Sequence, residues 1–157
     1  MEQKQKRLRL WLFLLAVNLV IIWGNSLLPG EISGAISNGL KNILAKLLPE
    51  RPNDGMGGGG LIRKLAHFTE FTCLGVCLSK IFRIVKSQKL QMYLLPLLCG
   101  VGAACIDETI QRFVPDRGPS LWDVGLDSCG VVAGIVIISL IHYFTKKKQN
   151  ILEEKQV

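Results

Sequence analysis

This sequence has little charge. Only 20% of its 157 residues are Asp, Glu, Lys or Arg, whereas 49% are apolar. Most of those charges fall in short clusters outside the apolar runs. A soluble domain scatters charge over every surface helix. A polytopic membrane protein confines it to loops, because a charge at the bilayer centre costs about 2.5–3.5 kcal/mol on insertion scales. Other absences narrow the reading further. The five cysteines form no CxxC pair and lie within the apolar runs, so we read them as small buried residues of membrane helices. No GxSxG motif offers a serine nucleophile. The glycine run GMGGGG, Gly55 to Gly60, lacks the GK[ST] ending of a phosphate-binding loop and follows no strand, so it reads as a connector. The net charge of +7 has no aromatic-studded basic patch or motif beside it, so no nucleic-acid partner is expected. No internal repeat is visible, and 157 residues are enough for one domain.

What is present is a set of four apolar runs, from Leu8, Leu61, Leu90 and Leu121. A helix needs about 20 residues to cross a hydrocarbon core of about 30 Å. The runs predict transmembrane helices over about 8–26, 61–83, 89–111 and 121–144, the third continuing into DETIQ. The first has a basic start and could pass for a signal peptide. Its length and the three runs that follow favour a retained anchor. The expected fold is therefore all-α: a single polytopic membrane domain over 1–157 with four transmembrane helices. Residues 31–48 add an amphipathic segment, with Ile32, Ile36, Leu40, Ile43, Leu44 and Leu47 at helical spacing.

Basic residues set the orientation. Lys4, Lys6, Arg7 and Arg9 lead the chain. Lys80, Arg83, Lys86 and Lys89 flank the middle loop with no acid among them, and Lys146, Lys147, Lys148 and Lys155 lie in the C-terminal tail. The other two connections balance bases with acids. Both termini and the middle loop are thus expected in the cytoplasm. The amphipathic segment and the Asp107–Ser120 loop are expected outside.

That topology brings polar residues to one depth. Arg63, His67 and Glu70 follow at i, i+4 and i+7 near the start of the second helix. The third helix ends in Asp107, Glu108 and Gln111. The fourth begins near Ser120, with Asp123 and Asp127 one turn apart. Each could pair with its neighbours or reach the headgroups. Glu70 and Asp127 sit too deep for a short carboxylate to do so, and an intramembrane ionisable residue marks a functional site by default. A buried carboxylate needs a cationic or hydrogen-bonding partner, and Arg63, Lys64, His67 and Arg117 are at hand. The set suits acid–base work through His67, an oxygen-rich metal site, or capture of a lipid phosphate by Arg63, Lys64 and Arg117. These residues by themselves assign no cofactor and no reaction. Small residues at Gly130 and Gly134, and at Gly100 and Ala104, put those helix faces inside the bundle.

Three segments carry a resemblance: NSLLPG (Asn25 to Gly30), RKLAHFTEFTCLG (Arg63 to Gly75) and DETIQRFVPDRGPSLWDVGLDSCGVVAG (Asp107 to Gly134). In order and spacing they resemble the VanZ family of small bacterial membrane proteins. The family's polar positions fall on Lys64, His67, Glu70, Asp107, Glu108, Gln111, Arg117, Ser120 and Asp123. Asp116 stands where many members have Gly, and Asp127 where they have Asn. The resemblance implies an association with resistance to teicoplanin-type lipoglycopeptides and supplies no reaction. The expected partners are membrane lipids or a lipid-linked envelope precursor. A membrane enzyme acting on a lipid phosphate, or a non-catalytic helper subunit, are the alternatives.

Overall fold

The computed structural model describes residues 1–36, 39, 58–86, 88–115, 117–118 and 120–154. Four long helices dominate: α1 (Glu2–Ser26), α2 (Gly58–Val85), α3 (Lys89–Gln111) and α4 (Leu121–Glu154). Residues 30–36 add a short helical stretch, and no strand occurs among the described residues. Most of the expected amphipathic segment, 31–48, lies outside them.

Each helix is bounded by its own residues. Pro29 follows α1 closely and biases the residue before it away from helix. Glu2 and Lys6 pair at 2.7 Å within the first turns of α1. The tails prove more ordered than expected: α1 starts at Glu2 rather than near residue 8, and α4 runs to Glu154 rather than 144. Lys, Gln and Glu are good helix formers, so a helix nucleated in the apolar run propagates into a polar tail. Gly58, Gly59 and Gly60 are helical as well, so the end of the glycine run belongs to α2 rather than to a connector.

α1, α3 and α4 are long and apolar enough to cross a membrane. At about 1.5 Å per residue, even the 23 residues of α3 reach about 35 Å. α2 has 28 residues but carries Arg63, Lys64, His67 and Glu70 in its first half. It is also the helix most enclosed by protein. It packs against α1, α3 and α4, with its widest contact on α4. Ile22, Phe71, Leu74, Leu78, Ala103, Ala104, Val131 and Ile135 form the core.

The α2–α4 crossing depends on glycine. A Cβ on Gly134 would collide with the carbonyl of Thr72, and one on Gly130 would lie 2.6 Å from the carbonyl of Phe68. A Cβ on Gly75 would in turn strike the carbonyl of Val131. Backbone therefore meets backbone, which small residues permit in lipid. The outward faces are apolar: Phe13, Val17 and Val20 on α1, Leu94 and Leu98 on α3, and Val136, Ile137 and Leu140 on α4 are all exposed. A soluble protein does not show so continuous an apolar coat, and lipid is the solvent it suits. The cysteines correct one expectation. Cys77 alone is buried; Cys73, Cys99, Cys105 and Cys129 are exposed free thiols on the outer helix faces. Apolar sequence context cannot tell a lipid-facing position from an interior one.

At one end of the bundle, Arg83 near the α2 C-terminus donates to Ser139 Oγ at 2.9 Å and stacks 5.2 Å above the Tyr93 ring. Lys80 lies 5.8 Å from the Trp11 ring. The opposite end gathers the last turns of α1 and α3 and the first turns of α2 and α4.

Candidate functional site

At that second end, polar side chains form a connected network. Asp107, one turn from the end of α3, is 0% exposed. Ser26, the last residue of α1, donates to its Oδ1 at 2.6 Å. Gln111 Nε2 donates to its Oδ2 at 2.8 Å and lies 3.3 Å from Ser26 Oγ. The Gln111 carbonyl accepts from Arg63 Nη2 at 2.7 Å. Thus α1, α2 and α3 meet on one carboxylate. Helical spacing explains the local geometry, since Asp107 and Gln111 are i and i+4 on one face.

His67 stands one turn after Arg63 on α2. Its Nδ1 lies 3.7 Å from Asp107 Oδ2. That is too long for a hydrogen bond and close enough for strong electrostatic interaction. α4 contributes Asp127, 1% exposed, with no hydrogen-bond partner for either oxygen among the described residues. One ligand atom from each of His67, Asp107 and Asp127 falls within 4.8 Å of the other two. Beside His67 and Asp127 is a small cavity of about 20 Å³, whose lining is completed by Arg63, Lys64, Glu108, Gln111, Asp123 and Leu126. A cavity of about 10–15 Å³ on this measure holds one water, so the space takes one water-sized guest.

The remaining residues sit around this centre. Glu108 Oε2 accepts the backbone N–H of Ser120 at 2.9 Å, fixing the chain just before α4. Lys64, exposed, reaches Asp123 Oδ1 at 3.9 Å. Arg117, in the α3–α4 loop and 9% exposed, donates through Nη2 to the carbonyl of Asn25 at 3.0 Å. Its Nε and Nη1 are buried without a partner among the described residues. Burial, with Arg63 nearby, pulls the guanidinium below its usual range. Arginine stays charged in proteins, so the shift is a cost of burying the cation rather than a titration. Glu70 faces α1 instead of the cavity. Its Oε1 accepts from Asn25 Nδ2 at 2.6 Å, and its Oε2 is buried without a partner among the described residues. His67 and Glu70 therefore serve two neighbouring walls, not one.

Sequence reasoning passed over α1. Asn25 and Ser26 both bond to site carboxylates, and Asn18 Nδ2 reaches the backbone carbonyl of Glu70 at 3.4 Å. A signal was there. Asn18 and Asn25 are seven apart, hence on one face of an otherwise apolar helix. Polar residues so placed in a spanning helix point to a protein interior.

The arrangement holds three chemical resources. There is a histidine beside a carboxylate whose orientation is set by Ser26 and Gln111. There are cations at the rim, and an unpartnered carboxylate in the wall. The family model described as VanZ/LLP1 matches residues 9–142, which reaches into all four helices and takes in every residue of this network. Comparisons with curated proteins and with solved structures returned no match.

Proposed function

This chain belongs to the VanZ/LLP1 family, and from that premise we propose a multi-pass membrane protein whose polar pocket opens to the outer leaflet. It crosses four times, with both termini in the cytoplasm. The basic bias of the tails and the middle loop supports that orientation, and the apolar outer faces support the crossings. α2 carries Arg63, Lys64, His67 and Glu70 in its first half, and it crosses inside the bundle, where protein rather than lipid meets its polar face.

The pocket binds or alters a lipid-linked envelope component and so weakens the action of teicoplanin-type glycopeptides. One observation carries this reading. A spanning bundle has buried Asp107, Gln111 and Asp127 at one depth, with exposed Lys64 and half-buried Arg63 at the rim. Stability alone does not favour such burial, because well-packed apolar residues replace buried ion pairs at no net loss in many proteins. The cavity admits one water-sized guest, so a phosphate group does not enter whole. It meets Lys64 and Arg63 at the mouth, where the planar guanidinium suits two phosphate oxygens.

A second reading, a membrane enzyme acting on a lipid phosphate, draws on the His67–Asp107 pair at 3.7 Å. There a carboxylate orients the imidazole for acid–base work. A third, a helper subunit whose polar cluster only locks the bundle, draws on the Ser26–Asp107–Gln111 network. His67→Asn separates the first two from the third. Thermal stability of purified protein and teicoplanin susceptibility of cells are measured together. A working pocket loses function with its melting temperature within a few degrees of wild type. A helper loses both together, and that outcome would retire the pocket reading.

A further inference from the structure

Asp127 is the least explained group in the molecule. It is enclosed, and both its oxygens lack a partner among the described residues. Ionised, it is a bare charge in a low-dielectric interior. Protonated, its O–H still needs an acceptor, and the described residues supply none. Either form calls for something from outside the chain in the adjoining cavity.

The neighbours indicate what that is. His67 lines the same cavity as Asp127, and one ligand atom each from His67, Asp107 and Asp127 lie within 4.8 Å of one another. The His67 Nδ1–Asp107 Oδ2 separation of 3.7 Å fails as a hydrogen bond. It is close to the spacing of about 3.3 Å that bonds of about 2.0–2.1 Å impose on two ligands of one tetrahedral ion. Asp107 is also prepared for the role. Ser26 and Gln111 hold its carboxylate from behind, as hydrogen-bond donors hold the ligands of metal sites. The cavity has room for one small guest. The charges agree in sign as well. Five carboxylates stand in or beside the network against three cations, Arg63, Lys64 and Arg117.

We infer that the pocket binds one divalent transition-metal ion, held by His67, Asp107 and Asp127. A mixed imidazole and carboxylate set suits zinc or manganese better than calcium or magnesium, which take all-oxygen shells. Three protein ligands leave a coordination position open, the pattern of catalytic rather than structural zinc. That position faces the cleft rimmed by Arg63 and Lys64, where a phosphate oxygen can complete the shell. Only this last step rests on the proposed function; the ion itself does not.

The test uses the full-length, tag-free chain in detergent, since a polyhistidine tag would bind the same metals. After treatment with chelator, zinc and manganese are titrated separately by calorimetry, and bound metal is counted by elemental analysis. The inference expects one ion per chain of at least one of the two metals, and a melting temperature that rises with it. Asp127→Asn keeps the side-chain volume and lowers affinity at least about a hundredfold. Ser26→Ala, acting through Asp107, lowers it about ten- to a hundredfold. Glu2→Gln, which removes a carboxylate at the opposite end of the bundle, binds as wild type does. No stoichiometric binding by a folded wild-type protein overturns the inference, and so does wild-type affinity in Asp127→Asn. Neither result touches the envelope reading, which is measured in cells. A protein that binds no metal yet loses function with His67→Asn leaves the pocket standing and removes the ion.

Discussion

Two serines, equally buried, provide a sharp test of the network. Ser26 and Ser79 are both 0% exposed. Ser26 donates to the Asp107 carboxylate at 2.6 Å, whereas Ser79 Oγ has no partner among the described residues. Replacing each by Ala removes the same atom from equally enclosed positions, so the burial terms nearly cancel. Hydrogen bonds between helices in lipid average about 0.6 kcal/mol and reach about 1.7. The acceptor here is a fully enclosed carboxylate, and bonds to charged groups contribute about 1.5–3 kcal/mol. Ser26→Ala is therefore expected to destabilise by about 1.5–3 kcal/mol, the loss of the charged bond outweighing the lipid average. Ser79→Ala is expected to change stability by less than about 0.5 kcal/mol or to raise it, since it removes an unsatisfied hydroxyl. Equilibrium unfolding in mixed micelles of a mild detergent and SDS measures both. A double-mutant cycle with Asp107→Ala isolates the pair, and a coupling above about 1 kcal/mol is expected. A coupling below about 0.5 kcal/mol, or a larger loss for Ser79→Ala than for Ser26→Ala, would refute the reasoning.

Other predictions follow the same geometry. Gly134→Ala forces the α2–α4 backbones apart and costs at least about 1–3 kcal/mol by the same unfolding assay. Gly125→Ala, with nothing within 4 Å of the added atom, is neutral or stabilises by about 0.5–1 kcal/mol. Arg117→Ala removes the tie from the α3–α4 loop to the end of α1; it abolishes any resistance phenotype at near-normal membrane expression, read by immunoblot beside susceptibility. A probe cysteine at Lys86, in a variant cleared of native cysteines, is labelled only after the membrane is permeabilised. Labelling of intact cells would overturn the proposed orientation.

Much of this was legible in the residues. Long apolar runs and clustered charge implied a helical membrane protein, because bilayer energetics act on composition directly. That His67, Asp107 and Asp127 lie at one end of the bundle follows from helix direction, since three successive antiparallel helices return their polar ends to one level. What the pattern left out depends on rotation about each helix axis. It did not separate the wall facing α1, where Glu70 meets Asn25, from the wall facing α4, where His67 meets the cavity. Residues 67 and 70 are less than a turn apart, and only packing decides which neighbour each one meets. Ser26 was missed for a related reason: a serine at the end of an apolar helix resembles a simple terminus until its partner, 81 residues away, is in view. The four exposed cysteines failed in the same way, because lipid and protein interior select similar side chains.

The most direct measurement is teicoplanin susceptibility in cells expressing wild type or Glu70→Gln at matched membrane levels. Gln keeps the shape of Glu70 and a carbonyl for Asn25 to bond, and removes only the charge. If the polar site is the working part, wild type raises tolerance and the Gln variant falls to the level of cells without the protein, with its melting temperature preserved. A Gln variant that is well expressed and fully protective would contradict a charge-dependent site at this end of the bundle.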